Sequence, residues 1–311
     1  MLCHSPLFCS PGHGLSGHKS VDGPPQLLAE YAYYVAELIE ALRWGKGKGS
    51  CARGNSKPAN GSMHENAQPE VGSDEAKQST TADYVAADKI ILIGHSMGSG
   101  VATVLCAAFP ELFSSLILLE GGLVARNADD APRHVRAACQ RRMKSNKTLF
   151  PGRSSSNGDN VPPRGKVYAS LDTAIEARLS TVDRMPGEQR LSFEAARDMV
   201  RRATVPAPGA GDGGAVVFRH DPRLQWPSLQ YYTREQVTAF FRGIYAAGTP
   251  VCFLYATDGW PVDAEDASMI ADVLQPGCLK KLSGSHHLHA DPDSVDAVAN
   301  EIVLFMEHQQ L

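Results

Sequence analysis

The chain predicts an α/β fold in which a mainly parallel sheet is covered by helices on both faces. Three observations carry that expectation. Uncharged apolar runs recur at Ile90–Ile93, which is rich in β-branched residues, Leu116–Leu119 and Pro250–Ala256, with a further short strand near Cys278–Leu282; such runs suit strands buried on both faces. Stretches with apolar residues at helical spacing follow them, and strands alternating with helices form parallel βαβ units. No uncharged apolar run approaches the roughly 20 residues that span a bilayer.

Composition narrows the function classes. With 311 residues, 43% of them hydrophobic and 21% charged, the chain has enough apolar surface for a large core. A formal net charge of -4 gives no global reason to expect nucleic acid. Seven cysteines at scattered positions form neither a disulfide framework nor a metal-spaced cluster, so a reducing, cytoplasmic setting is expected. The start, MLCHSPLFCSPGHG, lacks the basic and apolar segments of a secretory signal.

Taken in order, Leu7-Phe8-Cys9 is the remnant of a candidate strand, and Ser10-Pro-Gly-His-Gly-Leu-Ser16 turns it into a loop. Pro24-Pro25 opens a helix with Leu27, Leu28, Tyr31, Tyr34, Val35, Leu38, Ile39 and Leu42 on one wide apolar stripe, stopped by Trp44 and Gly45. Residues 45–82 are rich in Gly, Ser, Asn and Lys without apolar periodicity, which predicts a disordered insertion.

The stretch from Lys89 to Phe109 organises the rest. A strand at Ile90–Ile93 and an apolar helix from Met97 flank GHSMG, which fits G-x-S-x-G. In such a strand-to-helix turn, flanking glycines leave room for a sharp, strained bend that lifts the serine hydroxyl to the helix N-terminus. Free N–H groups and positive dipole collect at that end, where an oxyanion is favoured.

Beyond it, Leu116–Leu119 is a second buried strand ending on Glu120. Residues 121–245 change character and read as mostly helical, with breaks near 151–164 and 206–214. Ser170 leads a helix bearing Leu171, Ile175, Leu179 and Val182, Ser192 leads one bearing Phe193, Ala196 and Val200, and Thr233-Arg-Glu-Gln236 is a capping-box pattern. Pro250–Ala256 returns to strand composition, followed by Asp258. A helix over 263–274, the strand near Cys278, the loop GSHHLH and a helix with Val295, Val298, Ile302 and Phe305 inward complete the chain.

These motifs resemble the α/β-hydrolase superfamily, and most closely its serine hydrolase-like branch. The resemblance rests on SPGHGLSGH, IGHSMGSG, LILLEGG, SLDTAIEARLS, FRHDPRL and GSHHLH. It implies an α/β-hydrolase fold, with core residues 1–120 and 246–311 and a helical lid at 121–245. It also implies that the chain begins at the family's fourth strand, N-terminally incomplete.

What the resemblance implies for chemistry is a nucleophile, acid and histidine in that order. Ser96 takes the nucleophile's place, and needs an imidazole to accept its proton. His286 takes the place of the family histidine, with His287 as the alternative. Asp258, at the end of the strand before the histidine strand, is the favoured acid, and Glu120 is the alternative. The backbone N–H of Met97 is one oxyanion donor. His13 and His95 resemble structural positions at the site floor. The i, i+1, i+3 histidines of GSHHLH lack carboxylate or cysteine company, so no metal is expected, and no cofactor is implied.

The basic run Gln140–Lys147 reads first as a solvated helix face. Trp226, Tyr231, Tyr232, Phe240 and Phe241 read as lid core, with an apolar acyl pocket as the alternative. The expected function is hydrolysis of a small-molecule carboxylic ester or related acyl substrate. The competing reading, from the strands that the resemblance leaves unrepresented, is a noncatalytic hydrolase-like protein or a truncated chain. The resemblance also leaves three strands of the sheet and the second oxyanion donor unrepresented, so the chain starting at Met1 is expected to fold poorly and to turn over little substrate.

Overall fold

A computed structural model of the chain describes His13, Ser16 and residues 27–42, 44, 89–149, 165–209 and 214–310. The expected insertion at 45–82, the strand remnant at 7–9, the break at 151–164 and the middle of the break at 206–214 fall outside the described residues.

In chain order the elements are α1 (Leu28–Leu42), β1 (Ile90–His95), α2 (Met97–Ala108), β2 (Phe113–Leu119), α3 (Ala131–Leu149), β3 (Val167–Tyr168), α4 (Leu171–Val182), α5 (Phe193–Ala203), β4 (Thr204–Pro206), β5 (Val216–Phe218), α6 (Arg234–Ala246), β6 (Val251–Asp258), α7 (Ala264–Met269), β7 (Cys278–Ser285) and α8 (Val295–His308). Among the described residues, the main sheet has the order β1-β2-β6-β7 with every pair parallel. All four strands therefore end at one edge. Open α/β sheets bind ligands outside that carboxyl edge.

Alternation along β2 shows why its second half, Leu116–Leu119, is apolar at every position. Leu116 and Leu118 join α1, α2 and α6 side chains in one buried cluster, while Ile117 and Leu119 join Leu254, Leu288, Val298 and Phe305 in another. Successive strand residues point to opposite faces, so a stretch covered on both sides favours apolar residues at both parities. The helices thus make two layers around the sheet, with α8 on the second face.

The segment between β2 and β6, expected to be mostly helical, also holds a small sheet. Three short strands pair antiparallel in the order β3-β5-β4, and with α4 and α5 they enclose a separate core of Ala174, Ile175, Ala196 and Val200. Two- and three-residue strands leave too short a period to read from sequence. Ser170, Ser192 and Thr233 each accept a hydrogen bond from a first-turn N–H, and Thr233 with Gln236 completes the capping box. Although α6 falls almost wholly within the expected lid at 121–245, its Val237, Phe241 and Ile244 are buried with α2 in the sheet-side core. No helix among the described residues is long and apolar enough to cross a membrane.

Candidate active site

Ser96 lies between β1 and α2 with φ 54° and ψ -121°, a backbone conformation that L-residues rarely adopt. The turn is tied down on both sides: Ser96 N donates to Leu119 O, and Ser99 N donates to Ser96 O, each at 3.0 Å. Buried Ser99 adds a hydroxyl bond to Gly94 O at 2.7 Å. A Cβ on Gly94 would lie 2.5 Å from Gly98 O, so the first glycine of the motif is sterically required. The second is not, because a Cβ on Gly98 would meet nothing within 4 Å. The glycine that crowds the serine comes instead from the end of β2, where a Cβ on Gly121 would sit 2.5 Å from Ser96 O.

His286 follows β7 and is 6% exposed. Its Nε2 is 2.9 Å from Ser96 Oγ, and its Nδ1 is 3.3 Å from Glu120 Oε2. With the serine hydroxyl donating to Nε2, the ring proton sits on Nδ1 and donates to the carboxylate.

Glu120 directly follows β2, with φ 48°, and is also 6% exposed. Its Oε1 accepts from Ala256 N at 2.5 Å and its Oε2 from Trp260 N at 3.2 Å. The carboxylate is therefore oriented by two backbone donors from the end of β6 and the turn beyond it.

Of the two candidate acids, Glu120 rather than the favoured Asp258 lies against the imidazole. Asp258 ends β6 in register with Ser285, but its Oδ2 is 2.5 Å from the Arg190 guanidinium rather than on the imidazole. Glu120 holds the position facing Nδ1 instead. His287, the alternative to His286, has its Nε2 2.7 Å from the Arg178 guanidinium of α4 and so accepts from it.

The other histidines form the floor under the ring. His95 Nε2 donates to His286 O at 2.8 Å, and its ring lies 3.9 Å from that of His289 and 4.8 Å from that of His286. Burial, with neighbouring imidazoles opposing a positive charge, drives His95 down to about 2. Burial beside Arg178 drives His287 down to about 3, and burial lowers His289 as well. Neutral rings are the ones that can stack this closely. No group of three or more His, Cys, Asp or Glu among the described residues is arranged to hold a metal ion.

A cavity of about 520 Å³ opens at Met97, the residue after the serine, between Met97, Gly122 and Leu123 on one side and α1 on the other, where Leu28 and Tyr31 line it. Trp226, Tyr231 and Tyr232 close it, while Phe241 is buried in the core and Phe240 packs against that core. The aromatic set therefore divides between the two readings. His13 touches Tyr31 edge-on at 5.9 Å. On α3, Arg142 lies over Trp226 and bonds Pro227 O, whereas Arg133, Arg136, Lys144 and Lys147 share the opposite, exposed face.

The comparisons with known proteins agree with this architecture. A family model described as alpha/beta hydrolase fold matches residues 83–154, which cover β1, the serine turn, α2, β2 and all of α3. A hypothetical protein of known structure, PA1622 from Pseudomonas aeruginosa PAO1, is 26% identical, with a TM-score of 0.65 over 96% of this chain and 80% of its own. The chain has the α/β-hydrolase fold. A serine hydrolase-like protein from Danio rerio is 22% identical over 94% of this chain and 71% of its own length. The thioesterase domain from the curacin biosynthetic pathway, 18% identical with a TM-score of 0.56 over 94% of this chain and 78% of its own, shares the fold.

Sequence reasoning missed the supporting residues of this α/β-hydrolase site. Gln189 Oε1 accepts from His286 N at 3.0 Å, Ser285 Oγ donates to Arg190 O, and Asp291 accepts from Ser192 N at 2.8 Å. Arg178 and Ser285 carried a signal, since they lie within SLDTAIEARLS and GSHHLH, and Ser192 was legible as a helix cap.

Proposed function

We propose that the chain is a serine hydrolase of carboxylic esters or related acyl substrates, with Ser96, His286 and Glu120 as its triad. The continuous path from Ser96 Oγ through both ring nitrogens of His286 to Glu120 carries this reading. A lone serine hydroxyl is a weak nucleophile at neutral pH, and an imidazole that accepts its proton as it attacks makes it an effective one.

In the acylation step Ser96 Oγ attacks the substrate carbonyl while its proton passes to His286 Nε2. The imidazolium, oriented by Glu120, then returns that proton to the leaving alkoxide as the tetrahedral intermediate collapses. Water, deprotonated by the same ring, releases the acid from the acyl-enzyme. The N-terminus of α2 points free N–H groups at the developing oxyanion, with Met97 N–H as one donor.

The acyl group occupies the cavity beside Met97, whose Leu, Tyr and Trp lining favours an apolar chain or ring. The segment carrying α3 to α5 and the small antiparallel sheet acts as its lid, because Trp226, Tyr231 and Tyr232 come from it. The printed name of the Danio rerio relative, serine hydrolase-like, agrees with this chemistry.

The test is turnover of p-nitrophenyl esters by the full chain and by Ser96→Ala. Ester hydrolysis that falls at least about 1,000-fold in the variant supports the reading. Equal rates in the two proteins would contradict it.

A further inference from the structure

One buried polar side chain outside the proposed triad reaches into it from the segment between α4 and α5. Gln189 is 6% exposed and both ends of its amide are engaged. Its Nε2 donates to Pro186 O at 3.0 Å, and its Oε1 accepts from His286 N at 3.0 Å. The residues after it bond to the same two loops. Ser285 Oγ donates to Arg190 O, Arg190 pairs with Asp258, and Ser192 N donates to Asp291 Oδ2.

We propose that Gln189 is a positioning residue that sets the place of the His286 ring by holding its backbone N–H. The inference rests on the reading of Ser96 and His286 as nucleophile and base. His286 sits just past β7, beyond the ladder that fixes Cys278–Ser285. Its N–H is buried and must keep an acceptor. Without Gln189, the backbone would have to shift to find another one. The ring would shift with it, and bonds to two partners on different strands tolerate little displacement: an error near 1 Å costs on the order of 100-fold in rate.

Two substitutions separate positioning from general support. Gln189→Met removes both bonds at similar length. Gln189→Glu keeps an oxygen acceptor for His286 N–H, loses the donor to Pro186, and adds a negative charge near the ring. The measurements are kcat and KM on a p-nitrophenyl ester and the pH dependence of Ser96 acylation by a fluorophosphonate, with thermal unfolding of each full-length variant.

For Gln189→Met, kcat and the acylation rate should fall roughly 10- to 100-fold with KM within about twofold of wild type. For Gln189→Glu, most of the rate should return, and the acylation midpoint should move upward by about half a pH unit or more, because a nearby carboxylate favours the imidazolium. The titratable and charged groups around His286 are Glu120 on Nδ1, His95 and His287 in ring contact, His289 against His95, and Arg178 on His287. Neither variant changes any of them.

Wild-type acylation rates in both variants, or a raised KM at unchanged kcat, would overturn the proposal. If Gln189→Met does not fold, an unmoved midpoint in Gln189→Glu overturns it. A wild-type chain that is not acylated at Ser96 overturns the functional reading itself. Acylated wild type with unaffected variants overturns this inference alone.

Discussion

Glu120 Oε2 lies 3.3 Å from His286 Nδ1, joining residues 166 positions apart across the carboxyl edge of the sheet. Both residues stand immediately after their strands, β2 and β7, and β6 lies between those strands. The β6 end and the turn after it bridge the gap by donating Ala256 N and Trp260 N to the carboxylate.

That geometry predicts which acid matters. Glu120→Gln keeps the shape but leaves an amide where the ring needs an acceptor, and kcat should drop roughly 100- to 10,000-fold. Asp258→Asn breaks only a pair in which the arginine side chain is 77% exposed. Activity should then stay within about threefold of wild type, because exposed pairs contribute roughly 0 to 1 kcal/mol. Steady-state ester hydrolysis by the two variants decides the matter. The opposite ranking would return the acid to the end of β6.

The contrast between these two carboxylates shows what was legible in the sequence. Chain order, strand composition and the GHSMG turn were enough to find the sheet order's four strands and the loops that carry Ser96 and His286. Sequence put both Asp258 and Glu120 at strand ends, but choosing between them depends on where a side chain points after its strand stops. Glu120 reaches His286 because it takes a positive φ, a local distortion with no compositional signature. Gln189 and the bond made by Ser285 were invisible for a related reason. Their roles are set by contacts across about 95 residues, which periodicity does not register. The tight glycine at Gly121 lies outside the G-x-S-x-G motif, whereas Gly98, the motif's second glycine, has open space.

The histidine floor makes stability depend on pH. His95, His287 and His289 are all held below their ordinary value by burial. Below about pH 6.5 the unfolded chain binds protons at these rings and the folded chain does not. Their contribution is fully present above pH 6.5 and is lost as pH falls toward about 3, at up to roughly 1.4 kcal/mol per unit for each ring. Urea unfolding at pH 7 and pH 5 should show the loss, and His289→Gln should make the dependence shallower. A pH dependence that is identical in wild type and His289→Gln would contradict the assignment of neutral, buried rings.

Cavity shape predicts a chain-length preference. Val124 lines the cavity and is 52% exposed, so a larger side chain there can be accommodated without disturbing the core. Val124→Trp should lower kcat/KM for a p-nitrophenyl octanoate about 10-fold or more while leaving the acetate within about twofold. The same loss on both esters would place the acyl group elsewhere.

The central claim is that Ser96 is the nucleophile, activated by His286. Its most direct test is mass-spectrometric mapping of the adduct formed when the full chain meets a fluorophosphonate. The account predicts one modified serine, Ser96, with the adduct absent in Ser96→Ala and formed at least about 100-fold more slowly in His286→Ala. An adduct on another serine, or one formed equally fast in His286→Ala, would contradict it.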